Sequence, residues 1–240
     1  MSDRTYLFIG GCSRSGTSAL ARQLNWHPKI VCGEERYKGI LRRTRFAEFT
    51  PSLFEEERFF DFRPDDTDHT PDKSQYSGLY RKAKLRFASA EVVGDKVPAY
   101  AYDIRELNRR FSDPRFILIF RDVLGVANSY KRNWAGRDPR DAIMMWNRVL
   151  EATLLAMESV ASNIFIVRYE ALYSGSYDFT PMLAHLGLED DPAFARGYAV
   201  TSEKSVEFAK RAPLLDAEEV RDITAAARYD LYDKVVKFAR

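Results

Sequence analysis

Between Thr5 and Leu24 the chain reads TYLFIGGCSRSGTSALARQL: a short apolar run, a turn holding Gly10, Gly11 and Gly16, then a segment with helical spacing. A glycine-rich turn joining a buried strand to a helix start aims backbone N–H groups at whatever lies before it. The helix dipole adds about half a positive charge at that end. Such a turn belongs to layered folds in which strands and helices alternate, and it suits an anion. Gly11 and Gly16 have the spacing of a phosphate-binding loop. In ATP- and GTP-hydrolysing versions the second glycine is followed by a lysine, and a nearby strand ends in the aspartate that serves magnesium. Here Thr17 replaces the lysine, and the candidate strand RFILIF ends in Arg121. The positive charge has moved to Arg14 inside the turn, with Ser15, Gly16, Thr17 and Ser18 around it as donors.

Further along, the chain repeats the same alternation. Four apolar runs read as buried strands: TYLFIG (5–10), EVVGD (91–95), RFILIF (115–120) and NIFIVRY (163–169). Asp122 can cap a helix with Val123, Val126, Ala127 and Tyr130 on one face, and Tyr100, Ile104, Leu107 and Phe111 make a second stripe. Residues 139–162 read as a long helix leading into the last strand. The expected fold is α/β: one domain over 1–240, with a central parallel sheet of about five strands flanked by helices, like that of P-loop NTPases. Ligands of such sheets bind at the carboxyl ends of the strands, so the site is expected where the 10–18 loop, Asp95–Lys96 and Arg121 converge. Residues 36–90 fit the alternation least and are expected to form a cap of helix and loop.

Composition narrows the function classes. The 37 basic and 35 acidic residues nearly cancel, which argues against general nucleic-acid binding. Two cysteines and three histidines, with no cluster at ligand spacing, argue against a disulfide framework or a zinc site. The N-terminal apolar run is too short for a secretion signal or a membrane span, so a cytoplasmic protein is expected.

The stretch GCSRSGTSALARQLNWHPKIVCGEE resembles the 5′-phosphosulfate loop of sulfotransferases that use 3′-phosphoadenosine 5′-phosphosulfate (PAPS), most of all the tyrosylprotein and bacterial branches, where arginine replaces the lysine of cytosolic enzymes. FILIFRDVLGVANSY resembles their second phosphate motif, and GDKVPAY and VRYEAL resemble weaker segments in the same order. The resemblance covers about residues 5–187. It implies a bacterial-type enzyme with PAPS as sulfuryl donor, 3′-phosphoadenosine 5′-phosphate (PAP) as product and no metal. It implies that Arg14, Ser15, Gly16, Thr17 and Ser18 hold the phosphosulfate, and that Arg121 and Ser129, eight residues later, clasp the 3′-phosphate. Lys96 would contact the sulfonate or bridging oxygen. Glu35, 21 residues after Arg14, would be the general base, with Arg14 and Lys96 as its catalytic companions. Tyr169 is either a nucleotide contact or a packed strand-end residue. Glu34 and His27 are rival bases. Family members also close the nucleotide site near the C-terminus, where Ser202, Lys204, Ser205, Lys210 and Arg211 are all candidates.

Two other functions use the same loop: a small-molecule or nucleotide kinase, and an inactive nucleotide-binding module. The kinase wants a lysine after Gly16 and a magnesium carboxylate. The inactive module needs the cradle but not Glu35 and Lys96. The acceptor stays open. The basic run Arg36, Lys38, Arg42, Arg43 and Arg45 suits an acidic acceptor or a solvated helix face, and the six phenylalanines from Phe46 to Phe62 suit a phenol or lipid pocket or the core. The absence of an anchor in the sequence favours a small-molecule or glycan acceptor over protein tyrosine. Pairing with a second copy is left open.

Overall fold

The computed structural model describes residues 4–133, 138–209 and 213–240. Its centre is a five-stranded sheet, β1 (Thr5–Gly11), β2 (Ile30–Glu34), β3 (Val92–Lys96), β4 (Arg115–Phe120) and β5 (Ile164–Arg168), in the order β2-β3-β1-β4-β5. Every pair is parallel. Four of these strands are the apolar runs of the sequence. The fifth, β2, reads IVCGE and carries only three apolar residues before its glycine, too short a run to stand out.

Helices cover both faces. One face of the sheet presents Leu7, Ile9, Ile30, Ile117, Ile119 and Val167 to α1 (Thr17–Leu24) and to later helices that supply Leu172, Met182, Leu183 and Phe194. The alternate residues Phe8, Val31, Val93, Phe116, Leu118 and Ile166 point to the other face, as the two-residue period of a strand requires.

The segment expected as a cap contains α2 (Lys38–Thr44), α3 (Glu56–Phe60) and α4 (Ser74–Arg86) linked by loops. Phe46, Phe49, Phe54 and Phe59 are buried in the core with Phe8 and Tyr100, while Phe60 and Phe62 pack against it. The phenylalanines therefore serve packing, consistent with the large area an aromatic ring removes from water. The 67–69 turn of the same segment folds over the carboxyl end of β2, where Thr67 Oγ1 donates to Glu35 O at 2.6 Å.

The remaining helices are α5 (Ile104–Arg110), α6 (Val123–Asn133), α7 (Asp141–Val160), α8 (Tyr169–Leu172), α9 (Thr180–His185), α10 (Pro192–Ala209), α11 (Ala217–Ala226) and α12 (Tyr229–Val236). The expected stripes are buried: Tyr100, Ile104, Leu107 and Phe111, and in α6 Val123, Val126, Ala127 and Tyr130. Asp122 caps α6 by accepting from Leu124 N at 2.9 Å. Among the described residues no helix is long and apolar enough to cross a membrane.

Candidate active site

The site lies where β2, β3, β1 and β4 end. The turn after β1 is tight: Arg14 and Gly16 have φ of 74° and 95°, both left-handed. Only glycine suits position 16, because a Cβ there would come within 2.7 Å of the Tyr169 ring. α1 starts directly after Gly16 with no acidic residue in its first turn and no side-chain cap, so its leading N–H groups point into the turn. Ser15 is fully buried, and its hydroxyl has no hydrogen-bond partner among the described residues.

Two arginines meet beside this turn. Arg14 Nε donates to Ser129 Oγ on α6 at 3.2 Å. The Arg121 guanidinium, at the end of β4, lies 4.1 Å above the Tyr169 ring. Burial and the nearby charge of Arg121 both push the Arg14 pKa down. Two like charges held together over a cluster of N–H groups fit a phosphate, which relieves their repulsion. Arg121 itself lies along α6 only because residue 125 is glycine: a Cβ there would stand 2.6 Å from Arg121 Nε.

On the other side of β1 stand the acid and the lysine. The β2–β3 register sets Glu34 opposite Lys96, and Glu35 N continues the ladder by donating to Lys96 O at 2.7 Å. Glu35 then turns into the left-handed region, φ 56°, which swings its carboxylate over the strand ends. Such a backbone costs on the order of 1–3 kcal/mol and needs outside support. Asp95 supplies it. This fully buried carboxylate accepts from Arg36 N at 2.9 Å, Tyr37 N at 3.0 Å and Tyr100 Oη at 2.9 Å, clamping the two residues that follow Glu35.

Lys96 Nζ donates to Glu35 Oε1 at 3.1 Å, and Lys38 pairs with Oε2. Burial alone raises the Glu35 pKa, but Lys96 and Lys38 outweigh it and hold the carboxyl down to about 2. His69 completes the group, with Nε2 3.7 Å from Glu35 Oε2. Next to these residues, Lys38, Gly39, Arg42, Arg43, Thr67 and Asp68 line an open recess of about 410 Å³.

The sulfotransferase family profile matches residues 7–192. The chain belongs to the sulfotransferase family. Protein-tyrosine sulfotransferase 1 of Danio rerio is 28% identical over 176 residues, covering 71% of this chain and 49% of the fish protein. The chain thus spans about half the length of that curated relative. Two solved structures share the fold. The sulfotransferase domain of the Synechococcus PCC 7002 olefin synthase has a TM-score of 0.59 at 20% identity, covering 100% of this chain and 96% of the domain. Mouse sulfotransferase SULT7A1 complexed with PAP has a TM-score of 0.50 at 12% identity, covering 97% of this chain and 85% of the mouse chain.

The residues singled out in the sequence fall into three groups. Arg14, Ser15 and Gly16 form the turn and Thr17 and Ser18 open α1, with Arg121, Ser129 and Tyr169 against them. Ser129 contacts Arg14 rather than Arg121, so the loop after β1 and helix α6 are joined through the loop arginine. Glu35 and Lys96 form a second group. The rival bases are committed elsewhere. Glu34 is buried in a two-pronged pair with Arg22, at 2.9 and 3.1 Å. His27 accepts from Lys29 N at Nδ1 and donates through Nε2 to Glu189 O at 3.0 Å.

In the basic run, Arg36 is not available to an acceptor. It is fully buried, pairs with Asp66 at 2.9 Å and donates to the carbonyls of Phe59 and Asp61. Lys210 and Arg211 lie outside the described residues, as do the side chains of Ser202, Lys204 and Ser205. Sequence reasoning missed His69, the clamping role of Asp95 and the need for Gly125. His69 and Asp95 carry no local signal. Gly125 could have been found from its position one helical turn past Arg121, where an arginine lying along α6 requires a residue without a side chain.

Proposed function

We propose that the chain transfers a sulfuryl group in line from PAPS to a hydroxyl or amine of a small-molecule or glycan acceptor, with Glu35 as general base. The observation that carries this reading is the Glu35–Lys96 pair at 3.1 Å, standing at the strand ends on the opposite side of β1 from the Arg14–Arg121–Ser129 cluster. When bound, PAPS supplies the sulfuryl group and a phosphate leaving group. The residues of the chain do the rest. The amides of the 15–18 turn, the Ser15 hydroxyl and Arg14 hold the phosphosulfate, and Arg121 with Ser129 holds the 3′-phosphate. Tyr169 fixes the plane of the Arg121 guanidinium. Lys96 meets the negative charge that grows on the bridging oxygen, a role for a fixed cation in a water-poor site. As Lys96 turns toward that charge, Glu35 loses part of what depresses its pKa and gains the basicity to take the acceptor's proton. This reading needs no metal, because the developing charge meets fixed cations.

The recess beside Lys38 has the size of an ordinary small-ligand site, which supports a small molecule or a short glycan. The name of the fish relative makes a tyrosyl peptide the competing acceptor. Labelled PAPS offered to phenols, amino sugars, glycans and tyrosyl peptides decides between them. Calorimetry with PAP and with magnesium ATP tests the donor. Binding of PAP alone is expected; binding of ATP alone would sink the reading in favour of a kinase. PAP binding without transfer to any acceptor would favour the inactive module.

A further inference from the structure

Glu35 poses a chemical problem that His69 answers. A carboxyl held down to about 2 is a poor final seat for a proton, whatever it does at the moment of attack. His69 stands beside it with a fixed tautomer. Its Nδ1 lies 2.9 Å from Glu34 O, and because a carbonyl can only accept, Nδ1 carries the hydrogen. In the neutral ring Nε2 is therefore a bare lone pair, and it faces Glu35 Oε2 at 3.7 Å. Two atoms that both accept lie 3.7 Å apart, so a proton that reaches Oε2 has Nε2 as a neighbouring acceptor.

The ring is held there from three directions. It stacks on Tyr76 with centroids 4.4 Å apart and planes 13° from parallel. Its backbone N donates to Thr67 Oγ1 at 2.9 Å, and that hydroxyl donates to Glu35 O at 2.6 Å, so one threonine ties base and imidazole together. The charged groups around the ring are Glu35, Glu34 and Lys96, with Lys38 on the far side of the Glu35 carboxylate. Burial, the largest influence, lowers the imidazole pKa and keeps the ring neutral near pH 7, with Nε2 unprotonated.

We propose that His69 Nε2 is the resting place of the acceptor's proton, reached through Glu35. This rests on the sulfotransferase reading above. As the acceptor oxygen bonds to sulfur, the bond from sulfur to the bridging phosphate oxygen breaks and its electron pair leaves with PAP. The acceptor's proton passes to Glu35 Oε2 and from there to Nε2. An imidazolium then stands beside a carboxylate at ion-pair distance, and closing the 3.7 Å gap by about 0.8 Å makes it a charge-assisted hydrogen bond. The proton leaves to water when product departs, and Glu35 returns to its ionised state for the next cycle.

The test has two arms. Nitrogen NMR of the wild-type protein, which has three histidines to assign, reads the His69 tautomer with and without PAP. The expected result is Nδ1–H with bare Nε2 at pH 7.5, and a lower His69 pKa in Glu35→Gln; an Nε2–H tautomer overturns the proposal. The second arm follows transfer from labelled PAPS to 2-naphthol, or to water where naphthol is not taken. His69→Gln is expected to lower kcat about tenfold to a hundredfold. Its KM for PAPS and its affinity for PAP should stay within twofold, and the acidic limb of the wild-type kcat profile should vanish. A His69→Gln enzyme that keeps both rate and acidic limb overturns the relay alone. A wild type that binds no PAP overturns the sulfotransferase reading, and the relay with it.

Discussion

Arg14 Nε lies 3.2 Å from Ser129 Oγ, a contact between residues 115 positions apart. It ties the first turn of the domain to the helix after β4, the two segments proposed above to hold the phosphates of PAPS. Hydrogen bonds to a charged group contribute about 1.5–3 kcal/mol each. Ser129→Ala should therefore weaken PAP binding about tenfold to a hundredfold, and Arg121→Ala more. Calorimetry at two salt concentrations checks this, with Arg121→Ala expected to show a shallower salt dependence than wild type and Ser129→Ala, which loses no charge, an unchanged one. Unchanged affinity in Ser129→Ala would remove the serine from the site.

Gly125 separates binding from stability. Gly→Ala in a helix interior ordinarily stabilises by about 1 kcal/mol. Here the added methyl meets the flexible end of Arg121, which can swing aside at little cost to the fold. Gly125→Ala should melt at the same temperature as wild type or higher, yet bind PAP about tenfold more weakly, since one charge-assisted contact is misplaced. A melt combined with titration of the same sample reads both. Loss of stability with affinity intact is the outcome that contradicts it.

The parts of this architecture legible in the sequence were those that depend on neighbours in the chain. Strand runs, the 3.6-residue stripes of α5 and α6, the Asp122 cap and the glycine turn are local patterns, and each reappears in the structure. That Glu35 and Lys96 share a site was legible only as a likeness to a family, and their direct pairing was not legible at all, because it depends on a β2–β3 register set by the whole sheet. His69 sits 34 positions after Glu35 in a polar stretch that reads as loop, and nothing in DDTDHTPD points back to β2. Arg36 misled for the opposite reason. In a basic run it looks solvated, and only the fold reveals Asp66 and three carbonyls waiting for it.

Asp95 is expected to support Glu35 without touching substrate. In Asp95→Asn one carboxylate oxygen becomes an amide that cannot accept from Arg36 N or Tyr37 N, leaving a buried donor unpaired at a cost of about 1–3 kcal/mol. The variant should unfold at lower denaturant and lose kcat as the Glu35 turn loosens, with PAP affinity held, since the Arg14–Arg121–Ser129 cluster proposed to hold the phosphates lies across β1. Equal losses in PAP binding and kcat would show a general collapse of the site instead.

Glu35 links activity to acid stability. Glu35→Gln should lower kcat by about 10²–10⁴, the usual contribution of a positioned base, with PAP affinity little changed. The same substitution has a pH signature in folding. The folded pKa of Glu35, about 2, lies below the ordinary 4.5, so its pairing with Lys96 and Lys38 stabilises the fold fully above the unfolded value. That stabilisation fades as pH falls from about 4.5 through about 2, where the carboxyl becomes neutral like the glutamine. The melting temperature of wild type should thus exceed that of Glu35→Gln near pH 7, and the two should converge on acidification. For a chain of this size each kcal/mol corresponds to about 2–4 °C. A gap that stays constant from pH 7 down to pH 2.5 would mean that Glu35 is not held down by the two lysines, and would remove the reason for a relay to His69.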